Sequence, residues 1–161
     1  MAARVVKEAV SRAKVDPKDV GQCVIGNVIH TEPKDMYISR LACVNGGLPH
    51  DTGALTVNRL CGSGMQAIVS AAQYILLGET DAAVGGGTES MSRAAYASLT
   101  ARWGARMGET KMMDMMVGAL TDPFDTVHMG VTAENVANKC GITREQQDAF
   151  AVESHKRAAA A

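Results

Sequence analysis

Asn58-Arg59-Leu60-Cys61-Gly62-Ser63-Gly64 is the stretch of this 161-residue chain whose residue types and spacing point to covalent chemistry. Cys61 stands between a β-rich run, Ala54-Leu55-Thr56-Val57, and a long helical pattern that begins at Ser63. Two glycines permit a tight strand-to-helix turn, the form of a nucleophile elbow. That turn places the thiol at a helix N-terminus, where unpaired N–H groups and the positive end of the dipole favour a thiolate. A free thiol with a pKa of about 8.5 is ionised to only a few per cent near neutrality, so the placement matters. The same N–H groups are candidates for holding the oxyanion of a tetrahedral intermediate. By physics alone, a nucleophile and an inert packing thiol fit this turn about equally well.

The other candidates are weaker. Cys23, Cys43 and Cys140 form no C-x-x-C pair with any neighbour, which argues against zinc and against a redox couple, and all three read as buried filler. Gly85-Gly86-Gly87 lacks the Lys-Ser/Thr of a P-loop and the spacing of a dinucleotide fingerprint, so nucleotide hydrolysis is excluded there. His30, His50 and His155 carry no comparable motif and read as surface or turn residues. With 16 basic and 17 acidic residues the net charge is −1, without the basic excess that binds nucleic acid or a membrane surface. No run approaches the roughly 18 apolar residues of a membrane span. Met1 to Ala13 is helical in pattern rather than a signal peptide, so the expected compartment is cytoplasmic and the expected partners are small molecules or protein subunits.

The elements that must position Cys61 alternate. Val5, Val6, Ala9, Val10 and Ala13 give an opening helix that Asp16-Pro17 interrupts. Val20 to Ile29 reads as a strand buried on both faces, as in a parallel sheet. A helix over about 36–44 is followed by the 54–57 strand, and then by a helix over 63–77 whose apolar positions run almost all the way round and ask for burial on every side. Asp81 to Gly87 is a further strand, and the alternation predicts an α/β layered fold. From about Arg93 the pattern changes to a region without strand signal, rich in Met107, Met112, Met113, Met115 and Met116. Those methionines suit either an adaptable apolar pocket or lid-core filler, and filler is favoured about two to one. Helices over 131–140 and from the capping box Thr143-Arg144-Glu145-Gln146 to Ala161 close the chain.

Taken together, N-R-L-C-G-S-G with M-Q-A-I-V-S-A-A-Q after it, G-G-G-T-E-S-M-S at 85–92 and H-M-G-V-T-A-E-N at 128–135 resemble the thiolase family over essentially the whole chain. G-N-V-I-H-T-E-P at 26–33 and A-R-W-G-A-R-M-G at 101–108 are similar to the bacterial β-ketothiolases that serve polyhydroxyalkanoate precursor synthesis. The resemblance implies a thiolase-like layered fold, with residues 1–92 as one α/β core lacking its first strand and 93–161 as part of a loop domain. It implies ping-pong acyl transfer through a Cys61 acyl-enzyme, with Claisen condensation and its thiolytic reverse. Acyl-CoA and CoA would be substrates, with no permanent cofactor and no metal. His128 and Met129, and more weakly Leu120, would lie along the pantetheine arm of CoA; from the residues alone, Met129 and Leu120 fit core packing and His128 a hydrogen-bonded loop histidine. Glu89 reads as structural, near the active-site floor. The 105–118 loop would mediate assembly into a homo-oligomer, a dimer or tetramer.

The same resemblance implies an N-terminal half cut at both ends. The N-E-A-F-like segment, the G-H-P histidine and the C-x-G cysteine of the family are absent: Gly47-Leu48-Pro49-His50 and Cys140-Gly141-Ile142 do not match them. The 161 residues alone are therefore expected to be inactive. A thiolase-fold acyl or lipid carrier and a decarboxylating ketoacyl synthase are the competing readings. The intact cysteine box argues against the first, and E-S-M-S with H-M-G against the second.

Overall fold

Val20–Gly26 (β1) is the strand around which the first part of the molecule is built. It pairs in parallel with Gly53–Val57 (β2) on one side and with Ala82–Gly87 (β3) on the other. A central position explains its unbroken apolar run, since side chains of both parities are covered: Cys23 and Val24 are both fully buried. On one face, Val6 and Val10 from the helix Ala2–Ala13 (α1) and Ala42 and Cys43 from the helix Ile38–Asn45 (α2) pack on Cys23 and Ile25. On the other face, Ala67 and Ala71 of the helix Ser63–Leu76 (α3) pack on Val24. The result is helix, sheet, helix.

The computed structural model describes all 161 residues, which divide into two compact units, Met1–Ala119 and Leu120–Ala161. In the first, α3 lies unusually near the sheet. A Cβ on Gly85 would fall 2.9 Å from the Ile68 Cα and 3.0 Å from the Ala67 carbonyl oxygen. This is one use of the 85–87 glycines, a close approach of helix to strand.

The burial expected all round α3 is not found. Only Ser63, Ala67 and Ala71 are buried, while Met65, Ile68, Val69, Ile75 and Leu76 are exposed. The sheet covers one stripe of the helix, and nothing in these 161 residues covers the opposite one. Val20 to Ile29 is also shorter as a strand than expected, since pairing stops at Gly26.

The region after Arg93 does contain strands. Tyr96–Ala97 (β4) and Met113–Asp114 (β5) form a short antiparallel pair that leads into the helix Met115–Ala119 (α4). Two-residue strands give no periodicity for sequence to reveal. Met107, Met112, Met113 and Met115 are exposed and only Met116 is partly buried, so among these residues the favoured filler role fits Met116 alone.

The second unit carries the helices Met129–Cys140 (α5) and Arg144–Ala160 (α6), the latter opened by the reciprocal Thr143–Gln146 capping box. Neither helix buries a residue, and Cys140 is exposed, which corrects its reading as filler. No helix of the chain is long and apolar enough to cross a membrane.

Candidate active site

Cys61 lies just beyond the C-terminal end of β2 and two residues ahead of α3, as the strand-to-helix reading requires. Its thiol is exposed. The turn is held by a dense set of short-range bonds. Leu60 adopts φ 45°, the left-handed region that a non-glycine residue enters only when its surroundings compel it. Its N–H donates to Asn58 Oδ1 at 3.0 Å, and its carbonyl accepts from both the Ser63 hydroxyl at 2.6 Å and the Ser63 N–H at 2.9 Å. Ser63 Oγ in turn accepts from the Arg59 N–H at 2.9 Å. Ser63 is thus buried because its hydroxyl is the pin of the turn.

Two of the N–H groups expected to serve an oxyanion are engaged within the turn itself. The Gly62 N–H donates to the Arg59 carbonyl at 3.0 Å and the Ser63 N–H to Leu60. An oxyanion would need other donors. The reason is local: the same left-handed kink that exposes Cys61 folds these amides back onto the preceding carbonyls.

The ends of all three parallel strands converge beside this turn. The Asn27 N–H donates to the Val57 carbonyl at 3.1 Å, and the Thr88 N–H to Gly26 at 3.0 Å. Glu89, directly after β3, gathers three donors on one carboxylate: the Val28 N–H at 2.9 Å, the Ile29 N–H at 3.1 Å and the Asn27 amide at 3.2 Å. Val28, Ile29, His30, Asn58, Leu60 and Met115 line a cleft of about 470 Å³ on the same side. His30 is exposed, as a surface or turn histidine is expected to be, and it forms part of the rim of this cleft. Sequence reasoning gave Asn58 no role of its own, because nothing in the motif announces that its side chain bonds Val28 and Leu60.

The remaining thiols differ in kind. Burial pushes the Cys23 thiol up to about 12, with the neighbouring Cys43 adding to the effect, and burial raises Cys43 as well. Both are held as neutral packing groups.

Leu120, His128 and Met129 come together in the second unit. The Met129 N–H donates to the Leu120 carbonyl at 2.8 Å, and Thr121 bridges to His128. His128 caps α5, its Nδ1 accepting the Gly130 N–H at 3.0 Å. His128 is thus a hydrogen-bonded loop histidine, one of the readings open to it from the sequence. Cys61 belongs to the other unit.

Comparison with known proteins gives this geometry a family. The sequence model for the thiolase N-terminal domain matches residues 1–161. The chain is 65% identical to the beta-ketothiolase BktB of Cupriavidus necator over 161 residues, covering all of this chain and 41% of that protein. It is 44% identical to an acetyl-CoA acetyltransferase of Chromobacterium violaceum, again over 100% of this chain and 41% of the relative. A crystal structure of human mitochondrial 3-ketoacyl-CoA thiolase in complex with CoA superposes with a TM-score of 0.90 at 39% identity, covering 97% of this chain and 40% of the other. The chain therefore spans about 41% of the length of the relatives it matches. It belongs to the thiolase family, whose N-terminal domain these residues make up.

Proposed function

We propose that this chain contributes the acyl-accepting half of an acyl-CoA acyltransferase, with Cys61 as the nucleophile. The observation that carries the proposal is an exposed thiol in a compelled left-handed turn at the mouth of a parallel sheet, the only exposed cysteine so built. The Cys61 thiolate adds to a thioester carbonyl, and the tetrahedral oxyanion collapses to expel CoA as its thiolate, leaving a thioester on Sγ. A second acyl-CoA, deprotonated at its α-carbon, attacks that thioester and returns the electron pair to Sγ. The product is a 3-ketoacyl-CoA. Run in reverse, CoA cleaves the 3-ketoacyl chain. A soft thiolate suits both directions, because it accepts an acyl group and yields it at comparable activation.

Relatives called beta-ketothiolase and acetyl-CoA acetyltransferase, and a solved relative that holds CoA, support acyl-CoA and CoA as substrates. Leu120, His128 and Met129 are proposed as pantetheine contacts, residues 1–92 as the core and 93–161 as part of the loop domain. The exposed side chains of 105–118 suit assembly into a homo-oligomer, and the setting proposed is cytoplasmic. No N-E-A-F, G-H-P or C-x-G segment occurs in these residues, so the isolated 161-residue chain should not turn over.

The test replaces the matching segment of the Cupriavidus necator beta-ketothiolase with this chain and measures acetoacetyl-CoA thiolysis. The graft should be active, Cys61→Ala should lose at least about a thousandfold in kcat, and the chain by itself should stay at background. Full activity of the Cys61→Ala graft would end the assignment.

A further inference from the structure

We infer that Asn58 and Glu89 are positioning residues for Cys61, holding the left-handed Leu60 in place from the loop that follows β1. The inference rests on the reading of Cys61 as the nucleophile and adds to it the means by which the turn is kept. The connection runs through named bonds. Glu89 fixes the peptide groups of Val28 and Ile29 by accepting both N–H groups. The Val28 carbonyl, fixed with them, accepts from the Asn58 amide at 3.3 Å. That bond dictates which end of the Asn58 side chain faces the turn. Its Oδ1 is presented to the Leu60 N–H at 3.0 Å. The peptide group held there is the one immediately before the left-handed Cα that aims Cys61.

Two observations indicate that this path is built for placement rather than for general stability. Leu60 at φ 45° costs about 1 kcal/mol or more for a residue with a Cβ, so it persists only while both of its peptide groups are held. Ser63 holds the carbonyl side, and Asn58 the N–H side. The second observation is Asn27, which is 5% exposed and leaves its Oδ1 buried with no partner. Its amide nitrogen donates instead to the Thr88 carbonyl and to Glu89. Turning the amide over would set Oδ1 against a carboxylate and a carbonyl. An unmet buried acceptor costs about 1–3 kcal/mol, and here it accompanies the steering of Glu89 toward Val28 and Ile29. Asn58 and Glu89 are themselves exposed, so replacing them removes little packing.

The chain carries its own controls for a test: buried Cys23 and Cys43 report folding, and exposed Cys140 is an internal reference for Cys61. In the 161-residue chain, Asn58→Ala and Glu89→Gln should each change the Cys61-to-Cys140 ratio of iodoacetamide labelling by about threefold or more, while Cys23 and Cys43 stay unlabelled. In the active graft, each should lower kcat about 10- to 100-fold with KM held within about twofold. The double variant should lose no more than the worse single, because both act on one path. Unchanged labelling ratio and kcat, with Cys23 and Cys43 still protected, would overturn the inference. Should Asn58→Ala expose the buried thiols, Asn58→Asp decides on the same readouts, since it keeps the acceptor toward Leu60 and loses the donor toward Val28. An inactive unsubstituted graft would count against Cys61 as nucleophile, and the labelling ratio would still decide whether the turn is positioned in this way.

Discussion

Gly26 and Ser63 meet where β1 ends and α3 begins: a Cβ on Gly26 would lie 2.7 Å from the Ser63 carbonyl carbon and 2.9 Å from its Cβ. The two nearest atoms, the Ser63 carbonyl carbon and oxygen, are backbone of a helix start, and the Cβ is fixed to it, so no flexible side-chain end is there to give way. The contact couples the central strand to the residue whose hydroxyl pins the Cys61 turn.

Gly26→Ala should therefore push the start of α3 away from the sheet and lower stability by about 1–3 kcal/mol, the usual cost of overpacking. Urea denaturation followed by circular dichroism measures it. A midpoint equal to that of the unsubstituted chain would show that α3 can shift at no cost, and that the close approach is not a constraint on the turn.

Most of the architecture was legible because it rests on burial. The two-faced apolar run of β1 and the four-residue spacing of Val6 and Val10 along α1 each leave a direct mark on the sequence, as does, through hydrogen bonding, the Thr143–Gln146 box. The strand-to-helix turn that exposes Cys61 was legible from its flanking patterns and glycines. What stayed hidden depends on partners distant in sequence. Glu89 reaches back about sixty residues to the amides of Val28 and Ile29, and no local pattern announces that an amide will need an acceptor. The apolar face of α3 was legible as a face that asks for cover, but which of its residues the sheet covers was not, because that depends on how the helix is turned against the strands.

The thiols of Cys23 and Cys43 give the fold an alkaline limit. The Cys23 pKa is raised in the folded chain from an ordinary 9.0 to about 12, chiefly by burial. A raised folded pKa means that the native state keeps its proton where the unfolded chain has lost it. Stability contributed in this way is complete below pH 9.0 and is lost as the pH climbs toward about 12. Urea midpoints measured across that window should fall, and Cys23→Ala should fall less steeply than the unsubstituted chain. Equal slopes would place the alkaline transition on other groups.

The apolar stripe of α3 makes the last prediction. Met65 is 69% exposed, Ile68 54% and Leu76 84%, while Ala67 and Ala71 on the opposite side are sealed against the sheet. A helix packed on one side only leaves its other apolar residues in water, where contiguous surface of this kind binds dyes and promotes association. The 161-residue chain should therefore bind anilinonaphthalene sulfonate and self-associate as its concentration rises. Ile68→Gln and Leu76→Lys together should reduce both effects and leave the stability within about 0.5 kcal/mol, because both side chains are more than half exposed in this chain. In the graft, where the remainder of a thiolase is supplied, the same pair should lower stability if that remainder covers the stripe. Dye binding that survives the double substitution would move the sticky surface elsewhere, with the exposed methionines of 107–115 as the next to replace.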